Sequence, residues 1–252
     1  MRILPVIILL LGSQLALAAG PVHEYQLDNG LKLIVKEDHR APVVVSQIWY
    51  KVGASYEHDG ITGVSHVLEH MMFKGTDAYP PGEFSRIISE NGGRENAFTS
   101  KDYTAYFQRL EKSRLPISFE LEADRMRHLH LQDEEFQKEI NVVMEERRLR
   151  TDDKPTALTY EQFVASAFLS SSVRIPTIGW MSDLESMQLD DLQQWYERWY
   201  APNNAILVVV GDVEPEAVLK QAKKYFGPLK PEEIVPVKPR TEPPQKGKRH
   251  IT

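Results

Sequence analysis

The sequence predicts an α+β fold, in which helices cover a sheet without a regular alternation of strands and helices. Three observations support this prediction. Alternating apolar residues predict strands near the N-terminus, a continuous apolar run predicts a buried strand at residues 43–52, and helical periodicity dominates after residue 115. Because successive β-α-β units are not seen, layers of helices on a sheet are favoured over a doubly wound parallel sheet.

The composition is that of a globular protein without an affinity for polyanions. The 252 residues are 42% hydrophobic, which suffices for a sizeable core. The 30 basic and 36 acidic residues give a net charge of −6 without a basic stripe, so neither nucleic acid nor an anionic membrane surface is expected as a partner. The absence of cysteine excludes disulfides, thiol catalysis and thiolate metal sites, so a soft metal must be bound by histidine and carboxylate.

Residues 1–18 are predicted to be a secretory signal peptide. Arg2 precedes the apolar run 3–11, and residues 16–18 (Ala-Leu-Ala) match a cleavage site of small residues. The run is too short for a stable membrane span, and no later segment is long and apolar enough. We therefore expect an exported protein, periplasmic or extracellular, whose mature chain begins at Ala19. An uncleaved anchor is the alternative.

The predicted strands lie mainly in the first half of the chain. Asp-Asn-Gly at residues 28–30 is a tight-turn signal between two alternating segments and predicts a β-hairpin. The run 43–52 is rich in β-branched and aromatic residues, which predicts a central strand covered on both faces. Residues 94–108 alternate again and predict one or two strands with a break at residues 100–102.

The remaining elements are mostly helical. The first helix is predicted to begin at Thr62 as its N-cap and to end at Gly75. Further helices are predicted at residues 83–90, 115–129, 133–150, 154–169, 189–200 and 214–226, with a buried strand at 205–210. From Gly227 the chain becomes proline-rich and charged, which is typical of a linker.

His66, Glu69 and His70 lie on one face of the first helix. At about 100° per residue they fall within an arc of roughly 100°. The other residues of this helix are apolar nearly all round, so the helix is expected to be buried, where ionisable groups need a compensating partner such as a cation. Two imidazoles and a carboxylate on one face indicate a metal site with a built-in base. Two hydrogen-bonded core histidines are the alternative.

A second stretch offers the carboxylate that such a site lacks. In the predicted helix 133–150, Glu139 and Glu146 fall inside the apolar arc, whereas Glu145 projects to the solvent side. A zinc ion with two histidine ligands needs at least one more protein ligand. Glu146 is the best candidate, with Glu139 as a second carboxylate nearby. Salt bridges from both residues to lysine or arginine are the alternative.

These motifs resemble the pitrilysin/insulinase family of zinc peptidases, which includes the mitochondrial processing peptidase. The resemblance is carried by His-x-x-Glu-His at residues 66–70, by Gly-Gly-Arg-Glu-Asn-Ala-Phe-Thr-Ser at 92–100, by residues 139–146 and by residues 200–213. It covers about residues 22–230. The resemblance implies a mixed, largely antiparallel sheet packed against helices, as in the processing-peptidase-like metallohydrolase fold.

The resemblance also implies the roles of the site residues. One zinc ion per chain is expected to be held by His66, His70 and Glu146. Glu69 is expected to activate the zinc-bound water for attack on a peptide carbonyl, and Glu139 to assist from beside the site. These roles suit the residue types, because two imidazoles and one carboxylate leave a fourth zinc position open and a neighbouring glutamate can act as a general base.

A peptide and a second half are the partners that the resemblance implies. The strand around Asn96 and Ala97 is expected to offer an edge to which an extended peptide adds, although from the sequence alone an ordinary structural strand is the better interpretation. Family members have two similar halves, and no internal repeat in this sequence supplies a second one. Residues 19–230 are thus expected to form the zinc-binding peptidase domain and residues 231–252 a linker towards an absent second half. A homologous half, a partner subunit or a homo-oligomer would complete it.

The expected function is that of a secreted zinc-dependent endopeptidase that cleaves extended or unfolded peptides. The alternative is a non-catalytic peptide-binding or scaffold subunit of the same fold. The presence of Glu69 favours the peptidase, because a scaffold needs no base beside zinc. The missing second half favours the scaffold for the isolated chain.

Overall fold

The computed structural model describes residues 20–250 of the chain. The predicted signal peptide at residues 1–18 lies outside these described residues. Between residues 20 and 250, none of the helices combines the length and apolar character that crossing a bilayer requires.

Six strands of the described residues form one mixed sheet. They are β1 (Val22–Gln26), β2 (Lys32–Glu37), β3 (Val43–Tyr50), β4 (Arg94–Thr99), β5 (Thr104–Glu111) and β6 (Ala205–Gly211). Their order is β1-β2-β6-β3-β5-β4, and β2–β6 is the single parallel pair among them. The sheet is thus mixed and largely antiparallel, and the predicted α+β fold is confirmed.

Eight α-helices accompany the sheet in the described part of the chain. They are α1 (Val64–Met71), α2 (Glu83–Glu90), α3 (Leu115–His128), α4 (Asp133–Arg147), α5 (Pro155–Ala167), α6 (Met181–Ser186), α7 (Leu189–Trp199) and α8 (Pro215–Tyr225). The short helix α6 was not predicted. The helix predicted at 133–150 ends at Arg147 and continues as a π-helical turn, Arg148–Asp152.

The core lies on one face of the sheet. In β3 the residues Val44, Ile48 and Tyr50 are fully buried, whereas the intervening Val45 and Trp49 are only half-buried. The prediction that this strand is covered on both faces was therefore wrong. A continuous apolar run fits both environments, because β-branched and aromatic side chains also suit a partly exposed sheet face.

The strand β4 and the helices α1 and α4 place the site. Among the described strands β4 pairs with β5 alone, so it lies at one end of the sheet. Helix α1 contacts both β4 and α4. The side chains of α1 and α4 that face each other therefore meet beside an edge strand.

The chain after α8 follows the surface without helix or strand up to residue 250, and it makes specific contacts. The backbone N–H of Glu232 donates to Oδ1 of Asn203 (3.1 Å), and the side chain of Glu232 pairs with Arg127. Glu242 accepts the N–H groups of residues 169–171 at 2.7, 2.9 and 2.8 Å. Arg249 donates to the carbonyl of Ala167 (2.7 Å), at the end of α5. This segment therefore fastens the C-terminal end of α5.

Candidate metal centre

Helix α1 begins at a glycine and not at the predicted threonine. Gly63 is the N-cap, with φ +90°, and has no side chain to cap the helix. The hydroxyl of Thr62 instead donates to Oδ2 of Asp183 (2.6 Å) and accepts the backbone N–H of Trp180 (2.9 Å). The prediction of Thr62 as N-cap was wrong because this side chain is engaged in a long-range contact.

A buried carboxylate satisfies the first N–H groups of α1. Glu57 is fully buried and accepts the backbone N–H of Gly63 (2.7 Å) and of Ser65 (2.9 Å). Burial raises the pKa of Glu57 to about 7, although both backbone hydrogen bonds act in the opposite direction. The positive end of the helix dipole lies beside this side chain. The start of α1 is thus anchored within one turn of His66.

His66, His70 and Glu146 converge between α1 and α4. Nε2 of His70 lies 3.5 Å and Nε2 of His66 3.9 Å from the same oxygen, Oε2 of Glu146. One ligand atom from each of the three residues lies within 4.8 Å of the others. Glu145 is exposed on the opposite side of α4. The helical phase thus directs Glu146, and not Glu145, towards the two histidines.

The three side chains suit a zinc ion. Two nitrogen or oxygen ligands of a tetrahedral zinc ion lie roughly 3.4 Å apart, close to the separations of both imidazoles from Glu146. Nδ1 of His66 is buried and has no hydrogen-bond partner among the described residues. Burial, and then the charge of His70, lower the pKa of His66 to about 3, so this imidazole is neutral and able to bind a metal. Two histidines and one glutamate form a donor set that leaves a zinc position open.

Glu139 lies behind His70. Its Oε1 accepts a hydrogen bond from Nδ1 of His70 (2.9 Å), and its Oε2 contacts Nζ of Lys74 (2.5 Å). The hydrogen bond from His70 is the main reason that the pKa of Glu139 falls to about 2. A carboxylate that occupies Nδ1 leaves Nε2 of the imidazole for the metal. The structure therefore places Glu139 against His70 rather than in the open cleft.

Glu69 lies on the same face of α1 as the two histidines and is mostly buried. Its Oε2 accepts a hydrogen bond from the hydroxyl of Thr99, the last residue of β4. Burial is the main cause that raises the pKa of Glu69, and the hydroxyl of Thr99 opposes it. Sequence reasoning did not single out Thr99, although it belongs to the segment that carried the family resemblance.

One cleft of about 520 Å³ contains these groups. It is lined by His66, Glu69, His70, Asn96, Ala97, Phe98, Thr99, Glu146, Arg150, Thr151, Thr177 and Ile178. The predicted metal, base and peptide-binding residues therefore share one cavity, except Glu139, which lies behind it. Within β4 the side-chain oxygen of Asn96 accepts the N–H of Ala97 (2.9 Å).

Arg150 is a further residue that the sequence analysis missed. Its Nη1 lies 2.6 Å from Oε1 of Glu146, while Oε2 of the same carboxylate faces the histidines. The spacing of four residues within a helix is the signal that could have indicated this pair. Arg150 leaves one oxygen of Glu146 for a metal.

Models of one peptidase family match most of the chain. The model described as insulinase, peptidase family M16, matches residues 32–179. The model described as the M16 inactive domain matches residues 186–252.

Individual relatives agree with these matches. The chain is 39% identical over 233 residues to a protein named zinc protease PqqE from Helicobacter pylori, which covers 91% of this chain and 52% of the relative. It is 29% identical to an uncharacterized zinc protease, YmxG, from Bacillus subtilis, over 82% of this chain and 50% of the relative. The chain thus spans about half the length of the curated relatives it matches.

Solved structures show the same relationship. A protease from Helicobacter pylori superposes with a TM-score of 0.88 at 37% identity, over 91% of this chain and 56% of that one. The first half of the periplasmic protease PqqL from Escherichia coli superposes with a TM-score of 0.79 at 26% identity, over 86% and 48% of the two chains.

Proposed function

The chain belongs to the insulinase family of peptidases, family M16, and from this membership we propose that it is the metal-binding half of a zinc-dependent endopeptidase. The observation that carries the proposal is the convergence of His66, His70 and Glu146 beside Glu69 in a cleft that an edge strand borders. Extended or unfolded peptides are the proposed substrates.

His66, His70 and Glu146 are the proposed holders of one zinc ion. When bound, this ion supplies Lewis acidity towards a peptide carbonyl and towards water. Nε2 of His66 and Oε2 of Glu146 face the same position, 3.9 Å apart, and Glu146 contacts Arg150 through its other oxygen. These two atoms are therefore the ones that are available to a metal.

Glu69 is the proposed general base. Its Oε2 is held by Thr99, which leaves Oε1 available to a water molecule in the cleft. As the water attacks the peptide carbonyl, Glu69 takes a proton, and it then returns the proton to the leaving amine. Glu139 supports the reaction by orienting His70 through Nδ1.

Strand β4 is the proposed docking site for the peptide. An extended chain can add to an edge strand through main-chain hydrogen bonds, and Asn96 and Ala97 of β4 line the cleft. A second cavity of about 380 Å³ shares Thr151, Thr177 and Ile178 with the cleft. Most of its other lining residues are apolar, namely Ala157, Tyr160, Val164, Val173, Ile175 and Pro176, and its charged ones are Lys101, Glu161 and Arg174. We propose that it accepts an apolar side chain of the substrate.

A second half is the proposed partner. The relatives are about twice as long as the part that this chain covers, and one neighbour is described as the first half of a periplasmic protease. We propose residues 19–230 as the zinc-binding peptidase domain, residues 231–252 as the link to a second half, and export to the periplasm or the exterior. A separate partner subunit or a second copy of the chain would serve the same purpose.

The test is cleavage of an unstructured, fluorescently labelled peptide. The chain is assayed alone and mixed with the C-terminal half of the Helicobacter pylori relative, with Glu69→Gln as the matched control. We expect zinc-dependent cleavage by the mixture, and we expect Glu69→Gln to keep zinc and lose cleavage. A zinc-loaded mixture that binds the peptide and cleaves nothing would contradict the peptidase and favour a peptide-binding scaffold.

A further inference from the structure

We propose that Lys74 is a positioning residue of the metal centre, and that it acts by holding Glu139 in the orientation that fixes His70 for metal binding. The inference rests on the proposed zinc site, and it assigns a role to a lysine that lies outside the ligand set.

A continuous chain of contacts joins Lys74 to the ligands. Nζ of Lys74 lies 2.5 Å from Oε2 of Glu139, and the other oxygen, Oε1, accepts Nδ1–H of His70 at 2.9 Å. Nε2 of His70 then faces Oε2 of Glu146 at 3.5 Å. Each oxygen of Glu139 therefore has one defined partner, and a change at one oxygen is transmitted to the other.

The burial of Glu139 makes the lysine important. Glu139 is 8% exposed, and the described residues place the nitrogen of one lysine, Lys74, within 4 Å of it. A buried carboxylate oxygen that loses its partner carries a desolvation penalty, so the side chain turns towards water when it can. Such a rotation breaks the hydrogen bond between Glu139 and Nδ1 of His70. This hydrogen bond sets the tautomer and the orientation of the imidazole ring.

The backbone around Lys74 is fixed. Its N–H donates to the carbonyl of Met71 (2.9 Å), directly after α1. Gly75 follows with φ +100°, and a Cβ at this position would lie 2.7 Å from the carbonyl oxygen of Tyr79. The carbonyl of Gly75 accepts the N–H of His130 (3.1 Å). The backbone of Lys74 is therefore held by a defined turn, from which the side chain, 27% exposed, reaches Glu139.

The charges of the site are paired selectively. Arg150 contacts Glu146, and Lys74 contacts Glu139 at 2.5 Å and, at the longer distance of 3.9 Å, Glu135. Glu69 has no cationic side chain within 4 Å among the described residues. The two carboxylates that face the histidines thus each have a cation that restrains them. The proposed base is free of such a partner.

The test is the zinc affinity of the 252-residue chain, measured by competition with a chromophoric chelator. We expect Lys74→Met to raise the zinc Kd by about fivefold or more. This is somewhat less than the effect of removing a residue that is itself hydrogen-bonded to a metal ligand, as Glu139 is to His70. Lys74→Arg is expected to stay within about twofold of the wild type, because the cation is retained. The matched control is Lys32→Met, which removes an exposed contact with Glu24 at 2.8 Å between β1 and β2 and also stays within about twofold.

A double-mutant cycle separates a positioning role from a general effect of charge. In a Glu139→Gln background, Lys74→Met should produce no further change in the zinc Kd. An equal loss in both backgrounds, or a wild-type Kd for Lys74→Met, would overturn the proposal while leaving the proposed zinc site intact. A wild-type chain that binds no zinc would instead overturn the proposed site and with it this inference.

A spectroscopic readout tests the same point without zinc. At a pH high enough for the His70 ring to be neutral, its nitrogen chemical shifts in the metal-free wild type should show the proton on Nδ1, and Lys74→Met should show a mixture of tautomers. Identical shifts in both proteins would contradict the role of Lys74. Lys74→Gln replaces the methionine variant in all measurements if that variant does not fold.

Discussion

The hydroxyl of Thr99, at the end of β4, donates a hydrogen bond to Oε2 of Glu69 on α1. The two residues are 30 positions apart in the sequence and belong to different elements. This hydrogen bond connects β4, the proposed docking strand for the peptide, to Glu69, the proposed base. A peptide on β4 therefore lies on the same element that orients the carboxylate.

Thr99→Val should lower kcat of the reconstituted enzyme by about tenfold and leave KM within about twofold. The valine has nearly the same shape but cannot donate, and a hydrogen bond to a charged group contributes about 1.5–3 kcal/mol. Thr99→Ser keeps the hydroxyl and should retain most of the activity. The zinc content of all three proteins should be equal. Wild-type kinetics for Thr99→Val would show that Glu69 needs no such restraint.

Gly179→Ala should destabilise the start of α1, although Gly179 itself lies outside this helix. A Cβ at Gly179 would lie 2.4 Å from the carbonyl oxygen of Thr62 and 2.7 Å from Cα of Gly63, and φ is +87°. We expect a loss of about 3 kcal/mol or more in the free energy of unfolding, from backbone strain and overpacking together. Urea denaturation measures it.

Gly60→Ala is the matched control for this substitution. Gly60 also has a positive φ, +100°, but a Cβ there would meet no atom within 4 Å. Gly60→Ala should therefore lower the free energy of unfolding by about 1–2 kcal/mol only, through backbone strain. An equal loss of stability in both variants would contradict the account, because it would show that the close approach of the backbone at Gly179 to Thr62 and Gly63 does not require a glycine.

Glu57 should make the stability depend on pH. Its pKa in the folded protein is about 7, above the ordinary value of 4.5, because of burial. Between these two pH values the unfolded chain has lost the proton that the folded chain keeps, so the free energy of unfolding should fall as the pH rises from about 4.5 to 7, by on the order of 2–3 kcal/mol.

The measurement compares the wild type with Glu57→Gln by urea denaturation of metal-free protein at several pH values. The glutamine variant cannot titrate at this position, so the difference between the two proteins isolates the contribution of Glu57. A difference that stays constant from pH 4.5 to 8 would contradict the raised pKa.

Glu242→Ala should loosen the segment after α5. Glu242 accepts hydrogen bonds from the N–H groups of Leu169, Ser170 and Ser171. Without this carboxylate, these three amides can hydrogen-bond only to water. Hydrogen exchange of residues 165–175, followed by mass spectrometry, should become faster. Glu233→Ala is the control, since Glu233 is exposed and makes no side-chain hydrogen bond with the described residues. Equal exchange in both variants would mean that the C-terminal segment does not fasten α5.

The sequence allowed the parts of the site that depend on local periodicity to be predicted. Helical phase placed His66, Glu69 and His70 on one face and distinguished Glu146 from Glu145. Local patterns do not reveal contacts between distant segments, so the hydroxyl of Thr99 on Glu69 was not foreseen. Thr62 was misassigned for the same reason, because its side chain is used by Asp183.

The sheet shows the same limit. The strands were predicted one by one from alternation and apolar runs, and their bounds agree with the structure to within a few residues. The insertion of β6, from residues 205–211, between β2 and β3 was not predicted. Strand order depends on the packing of whole segments, which a pattern within one segment does not record.

The zinc content of the purified protein tests most directly whether α1 and α4 form a zinc site. Freshly purified protein should contain about one zinc per chain by elemental analysis, since His66, His70 and Glu146, the proposed ligands, converge on one position. Glu146→Gln should lose the metal, and Glu145→Gln, on the exposed side of the same helix, should keep it. A wild-type chain without zinc, or equal zinc content in the two variants, would contradict the site.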